Sequence, residues 1–150
     1  MKAIDIKEGE IALVELPIPE PKQGEVLIKI KASAINRADL AQKNGLYPPP
    51  PGASLIMGLE CSGIIEAVGE GVKTRLVGEE VCALLAGGGY AEYVTCPEQQ
   101  VTSVPKGLDW IESASIPEVY ATCWLNLFIE GNLTAGNKVL FHAGASGIGT

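Results

Sequence analysis

In "GEVLIKIKASAI", Val26, Ile28 and Ile30 alternate with Leu27, Lys29 and Lys31, the pattern of a strand with one face buried. "CSGIIEAVGEGV" reads as a second strand entering a turn at Gly69–Gly71, and "GEEVCALLAGGGYAEYVTCP" as two strands joined through Gly87–Gly89. Between them "NRADLAQKNG" predicts a short helix stopped by Gly45, and the stiff "YPPPPG" that follows can only be an extended loop. After Pro105 the period changes. Ile116, Val119, Tyr120, Cys123, Trp124 and Leu127 recur at helical spacing, which predicts a helix over 116–129 with a stop at Gly131. A turn, a buried strand over 138–143 ("KVLFHA") and a glycine loop complete the pattern. The expected fold is a mainly β part, residues 1–118, followed by the first helix, strand and loop of an α/β unit, residues 119–150.

Composition narrows this reading. A chain of 150 residues supports one well-formed core and is too short for two full domains. An apolar fraction of 47% with 19% charged residues is globular, and 18 Gly with 10 Pro suit many short strands and tight turns. The net charge of −7, with no basic run, argues against nucleic acid and anionic membrane as partners. "MKAIDIKEGE" has no apolar core of a signal peptide, and no apolar run approaches the ~20 residues of a membrane span. A cytoplasmic protein is expected. Cys61, Cys82, Cys96 and Cys123 stand singly, without a C-x-x-C. That spacing argues against a disulfide framework or a zinc knuckle and for four buried thiols.

Chemistry enters at "FHAGASGIGT". Gly144, Ser146 and Gly149 occupy the three glycine places of G-x-G-x-x-G, with Gly147 added between. The fingerprint needs a tight turn, a close backbone approach to pyrophosphate, and close helix–strand packing. Ser146 partly crowds the approach but brings a hydroxyl that can donate to phosphate. An ordinary strand-to-helix turn is the competing explanation.

Five stretches, "PIPEPKQGEVLIKIKASAINRADL", "GLECSGIIEAVGEGV", "GGGYAEYVTCP", "VPKGLDWIESASIPEVYATCW" and "GNKVLFHAGASGIGT", follow in order the pattern of medium-chain dehydrogenase/reductases. Together they resemble the zinc-free NADPH:quinone oxidoreductases, and within these the tumour-suppressor-induced subfamily. The resemblance implies a GroES-like β domain followed by a Rossmann domain in a longer enzyme. The chain is then expected to be an N-terminal portion, ending inside the NADPH site before the helix whose N-terminus faces the pyrophosphate. A homodimer is expected for the whole enzyme.

Zinc-dependent relatives carry a Cys where this chain has Asn36, and a His in the Gly-His-Glu that here reads Gly58-Leu59-Glu60. Neither substitute can replace a thiolate and an imidazole, so no metal is expected. His142 is expected to be a hydrogen-bonded core or rim residue, and Cys61 a packing residue. Without a Lewis acid the resemblance implies reduction of a quinone or activated alkene, which accepts hydride unaided. It assigns Asn36 as an amide donor in the cleft and Tyr47 as the aromatic beside acceptor and nicotinamide. It also assigns Thr122 to the nicotinamide, and Ser146, Gly147, Ile148 and Gly149 to the cofactor phosphates. Plainer roles compete: a helix N-cap for Asn36, a loop aromatic on prolines for Tyr47, and a hydroxyl bonding back along the helix for Thr122. Arg37 and Asp39 read as surface or supporting groups. An enoyl or alkenal reductase, or a non-catalytic crystallin-like binding protein, are the alternative functions. The residue that separates NADPH from NADH is expected about 20 residues past the loop.

Overall fold

The computed structural model describes all 150 residues. The expected strand forms as β3 (Glu25–Ala32), with Val26 and Ile28 fully buried and Lys29 exposed, but Leu27 on the opposite face is buried too. β3 pairs antiparallel with both β4 (Glu60–Val68) and β6 (Tyr93–Pro97). With β5 (Glu80–Leu84) and β7 (Val101–Ser103) they make a five-stranded sheet in the order β6-β3-β4-β5-β7. The core cluster draws on every one of these strands: Val26 and Ile28, Cys61 and Ile65, Val81, Val94 and Cys96, and Val101. Each fully buried aliphatic side chain contributes about 1.5–3 kcal/mol.

A hairpin, β1 (Lys2–Lys7) and β2 (Glu10–Glu15), docks on the sheet through an Ala3–Ala91 bridge. Its turn uses Glu8 and Gly9, both at positive φ. The run Gly87–Tyr90 does more than link β5 to β6. Gly88 N–H donates to Ile56 O (2.7 Å), Gly89 N–H to Gly58 O (3.0 Å) and Tyr90 N–H to Met57 O (3.0 Å). The two backbones touch so closely that a Cβ on Gly58, at φ +102°, would lie 2.6 Å from Tyr90 N. Only glycine fits there.

The short helix α1 (Arg37–Lys43) forms as expected. The helix expected over 116–129 forms over 117–130, an α-helix closed by a π-helical turn. α3 (Pro117–Trp124) starts afresh after α2 (Trp110–Ala114), and a π-helical turn, Leu125–Glu130, ends it at Gly131. Pro117 explains the fresh start, since its ring and missing N–H suit the first turn of a helix and not its interior. The strand expected over 138–143 does not form, and Leu140 is 80% exposed. A strand needs a neighbour to accept its ladder, and no other segment runs beside these residues. His142 is accordingly exposed, without the hydrogen bond expected of it. No helix is long and apolar enough to cross a membrane.

Candidate active site

Asn36 sits at the N-cap of α1 with extended backbone, and its N–H donates to Asp39 Oδ2 (2.7 Å). Its side chain turns inward: Nδ2 donates to Glu60 Oε1 (2.7 Å). The other carboxylate oxygen, Glu60 Oε2, accepts the Glu118 N–H (2.9 Å). One residue of β4 therefore ties the start of α1 to the start of α3. Asp39 does the same for the glycine-rich backbone, accepting from Gly58 N–H (3.2 Å) and the Tyr90 hydroxyl (2.7 Å).

Glu60 and Asp39 are only 1% and 3% exposed. The chain's one salt bridge, Arg75–Glu79 at 3.5 Å, lies elsewhere. Buried charge without a cation is costly, and the surrounding N–H and O–H donors are what make it tolerable. The network also acts on its neighbours. Burial first, then its bond to Asp39, raises the Tyr90 phenol far above its ordinary range. Burial, then the charges of Glu60 and Asp39, raises the Glu118 carboxyl.

Glu118 and Tyr47 both line a cleft of about 170 Å³, also walled by Pro50, Leu59, Leu85 and Gln100. Tyr47 is 45% exposed at its mouth. Leu59, where the resemblance places a zinc-binding imidazole, is an apolar wall. Asn36 is not a wall of the cleft; it reaches Glu118 only through Glu60. A larger cleft of about 540 Å³ behind the polyproline loop contains none of the expected site residues.

Thr122 lies one turn after Glu118 on α3, a spacing that puts both on one helix face. It is half-buried, and its hydroxyl makes no bond back to the preceding turn. The glycine loop lies against α3 through Cys123 Sγ and Ile148 O (3.6 Å), and it does not line the cleft. Ser146 Oγ accepts the Gly149 N–H (3.1 Å), and a Cβ on Gly149 would lie 2.5 Å from Ala143 O. The N–H groups of Gly147 and Ile148 are unpaired within the chain. A compact loop with free N–H donors could hold a phosphate group.

Sequence reasoning missed Glu60, Tyr90 and Glu118 as parts of the site and placed Asp39 among surface or supporting groups. Glu60 did leave a trace, as an acid heading the mostly apolar run "ECSGII". Cys61 packs in the core as expected, as do Cys82 and Cys96, while Cys123 is only half-buried. No group of three His, Cys, Asp or Glu side chains converges as a metal site.

Comparison with known proteins agrees with this architecture. The alcohol dehydrogenase GroES-like domain matches residues 22–106. The human synaptic vesicle membrane protein VAT-1 homolog-like is 36% identical over 141 residues, covering 94% of this chain and 34% of its own length. The CurK enoyl reductase is 29% identical with a TM-score of 0.89, over 99% of this chain and 48% of that one. The quinone oxidoreductase of Coxiella burnetii is 27% identical with a TM-score of 0.84, over 99% and 50% respectively. The chain thus spans about a third of the length of the curated relative and half of the solved structures. On sequence and fold together, it belongs to the alcohol dehydrogenase GroES-like family of the medium-chain dehydrogenase/reductase superfamily.

Proposed function

We propose that the chain is the acceptor-binding part of a zinc-independent, NADPH-dependent reductase of quinones. Residues 1–118 form its catalytic domain and 119–150 begin its nucleotide-binding domain. The observation that carries this reading is the cleft itself. It offers a phenol and a carboxyl, and it has Leu59 where a metal-binding imidazole would stand. Oxidoreductases of this superfamily use nicotinamide cofactors, and a bound reduced nicotinamide supplies the hydride. The chain's own residues would then orient the acceptor and answer the charge that develops on its oxygen. Tyr47 is the hydroxyl donor at the mouth. Asn36 holds the Glu60 carboxylate with one N–H and has a second to give. Ser146, Gly147, Ile148 and Gly149 take the cofactor phosphates, and Thr122 approaches the nicotinamide from α3.

An enoyl or alkenal reductase is the second reading, favoured by the fold match to an enoyl reductase. The whole protein is proposed to be cytoplasmic and homodimeric. Turnover of quinones and of enals by the longer protein that carries this chain, with NADPH and with NADH, tests both readings. Faster turnover of quinones with NADPH supports the first. Faster turnover of enals supports the second, and cofactor binding without turnover of either would leave a binding protein. About one zinc per chain by elemental analysis would overturn the zinc-independent assignment.

A further inference from the structure

We propose that the Glu118 carboxyl is the proton donor of the Tyr47 cleft, supplying the acceptor oxygen that gains charge on reduction. The inference rests on the reductase reading and adds to it the source of the proton. Glu118 forms part of the cleft wall, and its carboxyl oxygens make no hydrogen bond within the chain. Its backbone, by contrast, is held firmly. The N–H is bound by the buried Glu60 carboxylate (2.9 Å), and the preceding residue, Pro117, has a fixed φ. A free acid on a fixed stem is the geometry that proton transfer needs.

The surroundings favour the protonated form of that acid. Glu60 from β4 and Asp39 from α1 are the charged groups acting on it, and both are anionic. β5 brings Leu84 to the cleft, and Tyr47 is the only other titratable wall. The start of α3 favours the anion, but burial and the charges of Glu60 and Asp39 outweigh it, and the carboxyl is raised above its ordinary value.

The step balances simply. A reduced nicotinamide is the source of the two electrons and of the hydride. The reduced acceptor oxygen then lacks one proton. The Glu118 O–H bond breaks as a new O–H bond forms on that oxygen. Water at the open mouth of the cleft returns a proton to the carboxylate.

The test uses Glu118→Gln and Glu118→Asp in the longer protein, with a thermal melt to verify folding. Glu118→Gln is expected to lower kcat for quinone about 100-fold with KM unchanged, and to abolish the fall of kcat at alkaline pH. Glu118→Asp is expected to recover part of the loss. Independently, carbon NMR of labelled glutamate in the wild-type chain should show one carboxyl titrating above the ordinary range, absent from Glu118→Gln. Unchanged kcat and pH profile in Glu118→Gln would overturn the proposal and leave the reductase reading standing. No turnover of any quinone or activated alkene by the wild type would overturn both. If Glu118→Gln does not fold, the wild-type titration and Glu118→Asp kinetics decide, and an ordinary titration would overturn the proposal.

Discussion

Asn36 gives its side-chain amide to the buried carboxylate of Glu60 across 2.7 Å, so the cap of α1 is also a strut of the site. Asn36→Ala removes one of the donors that make burial of Glu60 tolerable. A loss of about 1–3 kcal/mol is expected, above the ~1 kcal/mol of a lost cap alone. Urea denaturation of the chain measures it. A loss no larger than the cap value would mean that water replaces the amide.

The Tyr90 hydroxyl donates to Asp39 Oδ2, and its ionisation is driven far up by burial and by that bond. Among the four tyrosines, one phenol should therefore ionise last in an ultraviolet titration and vanish in Tyr90→Phe. Tyr90→Phe should also cost about 1–3 kcal/mol, because Asp39 loses a donor. Loss of an early-ionising phenol instead would contradict the assignment.

Burial pushes the thiols of Cys61 and Cys82 up, and that of Cys96 to about 12. A thiol needs both exposure and thiolate to react. In the native chain Cys123 alone should label with maleimide at neutral pH, and all four should label in denaturant. Counting labelled sites by mass spectrometry checks this, and a second site in the native chain would refute it.

Two carboxyls should shape stability against pH in opposite senses. Glu98 Oε2 accepts from the Lys73 and Thr74 N–H groups and from the Thr74 hydroxyl, and these bonds lower its pKa. Its contribution is present above the unfolded value of about 4.3 and is lost as pH falls through the lowered folded value. Glu118 is raised. Its contribution is present below about 4.3 and is lost as pH rises through the folded value. Relative to wild type, Glu98→Gln should be less stable at neutral pH and converge with it in acid. Glu118→Gln should gain on wild type between acid and neutral pH. Melting points across that range give both signs.

The β-sheet was legible because its signal is local. Alternation in β3 and the glycine turns record one buried face, although the burial of Leu27 on the other face left no such mark. The helix over 116–129 was legible for the same reason, since its apolar spacing and its stop at Gly131 are local, and only its π-helical last turn left no mark. The strand over 138–143 failed because its residues suit a strand but pairing depends on another segment. Asn36 and Tyr47 stood out through motif resemblance. The Asp39–Glu60–Tyr90 network did not, since its members come from α1, β4 and the run before β6 and meet only in three dimensions.

The main-chain contact between residues 56–58 and 87–90 also governs where the fold can accept new sequence. The Glu8–Gly9 turn projects away from the sheet, and a Cβ on Gly9 would meet nothing. Extra residues there would lengthen one hairpin and disturb nothing else. An insertion at Gly88 would slide Tyr90 off Asp39 and move the support of Asn36 with it. Diversification of this scaffold by loop growth is therefore channelled to the hairpin tip, and away from the stretch between β5 and β6.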